Sequence, residues 1–274
     1  MDTYFDLGGY SFPVTTQSTE AQTWFDRGIL WTYGYNHEEA VTCFERAIDA
    51  DPKCAMAHWG AGYASGPNYN MPWDLFDDAG RAAAARAGYA HARKALDLID
   101  GATEWEAALI QALPARHPQP DPLDPEAMKA WNANFADAMR DVFAAHPGSH
   151  EVRTVFAESL LNLTPWKMWD LRSGKPAASA RTVEAQTVLE EALEGDPSAM
   201  RHPGLLHLYV HLMEMSPFPE KALKAGDALR RLVPDAGHLI HMPTHIDILC
   251  GHYQNVVDWN CLLYTSPSPR DQLQ

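Results

Sequence analysis

AQTWFDRGILWTYGYNHEEAVTCFERAIDADPKC, residues 21–54, reads as two helices joined by a short turn. Small and aromatic residues recur at helical spacing: Trp24, Arg27, Gly28 and Trp31 on the first helix, Ala40 and Phe44 on the second. Each has a physical task. Gly28 and Ala40 are small where two helices approach closely, the aromatic rings fill the gap between them, and Pro52 stops the second helix. The stretch therefore predicts an α-helical hairpin.

Working outward, residues 55–64 repeat the first-helix pattern, with Gly62 34 residues after Gly28. The run Gly66-Pro67-Asn68-Tyr69-Asn70-Met71-Pro72-Trp73 is a loop by its Gly and Pro content. Helical patterns follow over about 79–98 and 103–113, where Thr103 and Glu106 form a capping-box signature. A proline-rich connection at 118–125 leads into helices over 125–145 and 149–163. Asp124 is placed as the cap of the first of these, and Pro125 in its first turn. A loop at 164–177 carries Trp166, Trp169 and Gly174, and a further helix spans about 178–193. Pro197 and Pro234 then end successive second helices, and Ala185 and Ala222 keep the same spacing. First helices are expected over 203–215 and 237–250, with Pro243 either kinking the latter or marking its start. The sum is an all-α chain of about ten to twelve helices, organised as one repeat domain over 1–260.

The spacing at 21–54 resembles the tetratricopeptide (TPR) pattern, with Arg27 in place of the usual Leu and Trp31 in place of Tyr. The clearest repeats are 21–54, 203–236 and 237–260. More narrowly, several segments resemble a group of large bacterial and fungal TPR-domain proteins without an established function. They are Tyr33 to Ala40, Ala55 to Gly60, Gly66 to Asn70, His202-Pro203-Gly204 with His207 and His211, and His241 to Ile246. The resemblance covers most of 8–260 and is thinnest over 115–200. It implies a TPR-like α-solenoid whose concave surface is lined by first helices and receives a protein or peptide segment. It implies no reaction.

Composition narrows the function classes. With 46% hydrophobic residues the chain can bury a core. A formal charge of −15 argues against nucleic acid as a partner, since phosphate backbones need clustered Lys and Arg. Met1 to Pro13 contains no basic start followed by an apolar run, and no apolar stretch approaches about 18 residues, so neither a secretory signal nor a membrane span is expected. Cys43, Cys54 and Cys250 lack CxxC spacing, which suggests reduced thiols and a cytoplasmic protein. Residues 261–271, CLLYTSPSPRD, resemble the translation of a transposase adapter used in DNA library preparation. Pro267 and Pro269 would also interrupt the helix begun at 253–260. Residues 261–274 are therefore set aside as non-native, and the native chain is expected to continue beyond Asn260 and to be truncated here within a repeat.

Six of the 13 histidines fall between His202 and His245. His207/His211 and His241/His245 each have i, i+4 spacing, and the second pair lies 34 residues after the first. In a stacked array the four imidazoles would share one concave surface. One reading is a binding scaffold: His207, His211, Glu214, His238, His241 and His245, with Trp59, Tyr63, Asn68 and Asn70 from an earlier repeat, would recognise a peptide or small carboxylate ligand by hydrogen bonds and charge. The alternative is a transition-metal site, for Zn, Cu, Fe or Ni, on His207, His211, His241 and His245. A third is purely structural: histidines on a half-buried face satisfy backbone carbonyls, and two pairs one repeat apart reflect a shared ancestry of the repeats. No catalytic residue can be named. GxSxG, Walker and GxGxxG motifs are absent, and His37-Glu38 lacks the second histidine of HExxH because Val41 stands there.

Overall fold

The computed structural model describes residues 4–263. It is an all-α structure of helical hairpins. In chain order the helices are α1 (Thr19–Tyr33), α2 (His37–Ala50), α3 (Ala55–Ala64), α4 (Asp78–Asp97), α5 (Glu104–Ala112), α6 (Pro125–Ala145), α7 (His150–Leu161), α8 (Thr182–Gly195), α9 (Pro203–Met213), α10 (Leu223–Leu229), α11 (Gly237–His241), α12 (Pro243–Leu249) and α13 (Tyr253–Leu263). A two-residue hairpin, β1 (Trp169–Asp170) paired antiparallel with β2 (Lys175–Pro176), interrupts the array.

Local chemistry sets the boundaries. Ser18 caps α1 by accepting from Ala21 N, Asp77 caps α4, Ser149 caps α7, and Asp124 caps α6 with Pro125 at its first position. The capping box of Thr103 and Glu106 is present, and Glu106 also accepts from the backbone N and hydroxyl of Thr15, which fastens the N-terminal segment to α5. The expected helix over 237–250 is two helices. Pro243 has no N–H to continue α11, so it opens α12 instead. Likewise the helix expected to reach Met215 stops at Met213. Residues 264–271 of the adapter-like stretch, including Pro267 and Pro269, lie outside the described residues.

Close approach of α1, α2 and α3 depends on glycine. A Cβ at Gly28 would come within 2.7 Å of the Phe44 ring, and one at Gly60 within 2.4 Å of the same ring. Phe44 therefore sits in a slot between two glycines, which is the task the first hairpin's spacing predicts for Gly28. Sequential hairpins pack side by side, but α9 also touches α1 and α7. At the same end Asp235 N donates to Asp6 O. The early and late hairpins thus meet, and this brings residues near Tyr33 beside α9. Among the described residues no helix is long and apolar enough to cross a membrane.

Candidate metal centre

The site grows from α9, whose 11 residues are all buried. His202 caps this helix: its Nδ1 accepts from Leu205 N at 3.2 Å. That fixes the register of the two histidines one turn apart, His207 and His211, whose rings lie 4.5 Å from each other. From α11, His238 joins them, its ring 4.9 Å from His207 and 5.9 Å from His211. One ligand nitrogen from each of these three rings lies within 4.8 Å of the other two.

The hydrogen bonds behind the rings matter as much as the rings. His207 bonds the backbone carbonyl of Tyr33, and His211 Nδ1 lies 2.9 Å from Glu214 Oε1. The Nε2 atoms of both rings are buried with no hydrogen-bond partner. Burial holds the His207 and His238 imidazoles well below the usual histidine range, and the neighbouring imidazoles push in the same direction. For Glu214, burial would raise the carboxyl, but hydrogen bonds from His211 and His245 overcome it and hold the group at about 2. A carboxylate and a carbonyl therefore orient the two imidazoles, whose Nε2 atoms are left without a hydrogen-bond partner. Metal-ligating histidines are supported in this way.

The remaining predicted residues divide. His241 and His245 do not join the first group. They form a separate pair across the break at Pro243, with Nε2 atoms 3.0 Å apart, His241 at the end of α11 and His245 on α12. Glu214 connects the two groups: its Oε2 lies 2.5 Å from His245 Nδ1. Four imidazoles on one point, as the sequence suggested, are thus replaced by a group of three that includes His238 and a neighbouring pair.

Asn70 reaches the site, with Nδ2 3.5 Å from His238 Nε2. Asn68 does not. Its Oδ1 accepts from Asn70 N and Met71 N, so it builds the turn of the 66–73 loop. Trp59 and Tyr63 are core residues rather than groove-lining ones. All of α3 is buried, their rings stack on one another, and the Tyr63 hydroxyl donates to the buried carboxyl of Glu158.

Three aromatic residues at the site escape a reading by motif. Tyr35 packs against His207, His211 and His238, with ring centroids 4.6, 5.5 and 5.5 Å away. Tyr69 lies 4.8 Å from His211 and 6.0 Å from Trp166. Among the described residues, Tyr35 and Trp166 are the two non-glycine positions with positive φ, both at 57°. Bulky residues rarely adopt this conformation, and such strain concentrates at functional sites. The available signal was an aromatic residue in a turn, beside Gly34 for Tyr35 and beside Pro165 for Trp166.

A cavity of about 440 Å³ opens beside the histidines, bordered by Asn70, Trp166, His211, Glu214, His238, His241 and His245. A larger, more apolar chamber of about 630 Å³ shares Asn70 with it and is lined also by Tyr35. The chemistry is concentrated in the smaller cavity. Compared with known proteins, the chain matches no family model, and no curated protein shows significant similarity to it.

Proposed function

We propose that the chain is a transition-metal-binding protein of TPR-like architecture, holding an ion on His207, His211 and His238. The observation that carries this is the pair of buried, partnerless Nε2 atoms of His207 and His211. Leaving a buried polar atom unpaired costs about 1–3 kcal/mol, and a bound ion removes the cost at both atoms. Imidazole donors suit Zn, Cu, Fe or Ni, and three protein donors leave a tetrahedral ion one position for water or a ligand. The free thiols of Cys43, Cys54 and Cys250 agree with a reducing, cytoplasmic setting.

A second reading keeps the cavity and omits the ion: a small carboxylate ligand bound by imidazole hydrogen bonds. It is favoured by the polar rim, where His245 is 40% exposed. The bounded cavity suits such a small molecule better than the extended peptide expected of an open groove. Metal analysis of purified protein, with His207→Ala/His211→Ala alongside, separates the two. The metal reading expects bound transition metal in the wild type and its loss in a variant that keeps its helical signal. Protein that neither carries metal nor takes up added Zn, Cu, Fe or Ni would leave the carboxylate reading.

A further inference from the structure

The two neighbouring cavities differ in the chemistry they leave open to a ligand. Around the larger chamber, most polar side chains already serve the backbone. Asn36 Oδ1 accepts from Glu39 N, Thr42 Oγ1 donates to Glu38 O, Ser65 Oγ donates to Ala61 O, and Asn68 Oδ1 holds the turn of its own loop. Both ring nitrogens of His37 are buried. The wall is therefore largely apolar: Val41 from α2, Met71 and Phe76 from the segment before α4, and Ala84 and Ala87 from α4, all half-buried. Alanine methyls on α4 leave space that longer side chains would fill. The histidine cavity is the reverse. Both oxygens of Glu214 are taken up by His211 and His245, while His211 Nε2 has no partner, so a polar group there meets imidazole.

The side chains between the two spaces are those that touch the histidines. Asn70 borders both cavities, and its Nδ2 lies 3.5 Å from His238 Nε2. Tyr35 borders the chamber, and its ring packs against His207, His211 and His238. We propose that the two cavities take one ligand, a monocarboxylic acid with a hydrocarbon tail, its head at the histidines and its tail in the chamber past Asn70. A carboxylate finds little to bond in the chamber and imidazoles in the other cavity, which sets the direction of the ligand. The inference rests on the histidine site for the head, on the open position of the ion or on imidazole hydrogen bonds, and adds the tail.

The test is calorimetric titration of the full chain with acetate, hexanoate, octanoate and decanoate, with metal content measured on the same samples. Each buried methylene should tighten binding about fourfold, so octanoate is expected to bind about 15-fold tighter than hexanoate. Ala84→Leu/Ala87→Leu fills the chamber and should remove the gain with chain length while the helical signal persists. Ala84→Ser/Ala87→Ser keeps the space but makes its wall polar, and should reduce the gain. Equal affinity at every chain length, or a gain that survives filling of the chamber, overturns the proposal and leaves the histidine site standing. Octanoate binding that is unchanged in His207→Ala/His211→Ala puts the head elsewhere and overturns it as well. If none of the four acids binds, the proposal fails, and metal content decides the three-histidine site separately. Metal-free protein that shows the expected dependence on length, lost in both the filled-chamber and the histidine variants, supports the proposal and leaves the head on imidazole hydrogen bonds.

Discussion

Arg230 and Asp247 form an ion pair with almost no access to water: Nη1 and Nη2 both lie 3.0 Å from Asp247 Oδ2, and the side chains are 2% and 1% exposed. The pair ties the end of α10 to α12, the short helix that carries His245. Removing one partner strands the other charge in the interior. Arg230→Ala is expected to lower stability by about 3–5 kcal/mol. Substituting both residues with apolar ones of similar size should cost much less. Urea unfolding of the three proteins, followed by helical signal, measures the difference.

Gly28 and Gly60 make an opposite-sign test of helix propensity. On an open helix face Gly→Ala gains about 1 kcal/mol. Here the new methyl would meet the Phe44 ring at 2.7 or 2.4 Å, and overpacking of this kind costs about 1–3 kcal/mol. Gly28→Ala and Gly60→Ala are therefore expected to destabilise. Adding Phe44→Leu should recover part of the loss, as the unfolding midpoint would show.

Buried histidines set an acid limit. Burial holds His117 and His202 down to about 3, with the charges of Arg116 and His150 adding to the effect respectively. In the unfolded chain they would titrate near 6.5. Between these values the unfolded state binds more protons, so stability rises with pH. The contribution is complete above about 6.5 and is lost as pH falls toward 3, at up to about 1.4 kcal/mol per pH unit for each group. Buried Glu158, whose carboxyl is raised by burial, acts in the opposite direction from its unfolded value upward. The test therefore compares the wild type with His117→Gln/His202→Gln. Between pH 6 and 4 the slope of unfolding free energy against pH should be smaller in the double variant.

Metal should appear in thermal stability as well as in stoichiometry. An ion that binds only the folded chain adds about 2.7 kcal/mol at a free concentration 100 times its Kd. Zn(II) is expected to raise the Tm of the wild type, and chelator to reverse the shift. Glu214→Gln leaves an amide where His211 and His245 need an acceptor on each side, and it should reduce the shift. Differential scanning calorimetry across a Zn(II) series reads both effects.

Much of the fold was legible because its signals are local. Asp124 before Pro125, the Thr103 and Glu106 pair, and the small residues facing Phe44 each fix an element within one or two helical turns. The site was legible only in part. Spacing along one helix placed His207 and His211 together correctly. The partner from the next first helix depended on what Pro243 does to the backbone. Across that break His241 and His245 contact each other, and His238, about one turn earlier, reaches the first pair. Trp59 was misplaced for a related reason: an aromatic residue at helical spacing is equally compatible with a lined groove and a filled core, and the packing of α3 chose the core. Tyr35 could not be placed at all, because its contacts with His207 and His211 on α9 span more than 170 residues of sequence and leave no local signal.

That long-range contact makes the histidine site a clasp. In a linear stack of repeats, a terminal unit can fray while distant sites stay intact. Here Tyr35, in the turn between α1 and α2, packs against imidazoles supplied near the other end of the chain, and Tyr33 provides the carbonyl that orients His207. Opening the seam between α1 and α9 would therefore undo the histidine site without unfolding any helix. If an ion binds at the histidines as proposed, closing the seam and binding it would be linked equilibria, each strengthening the other by the same free energy.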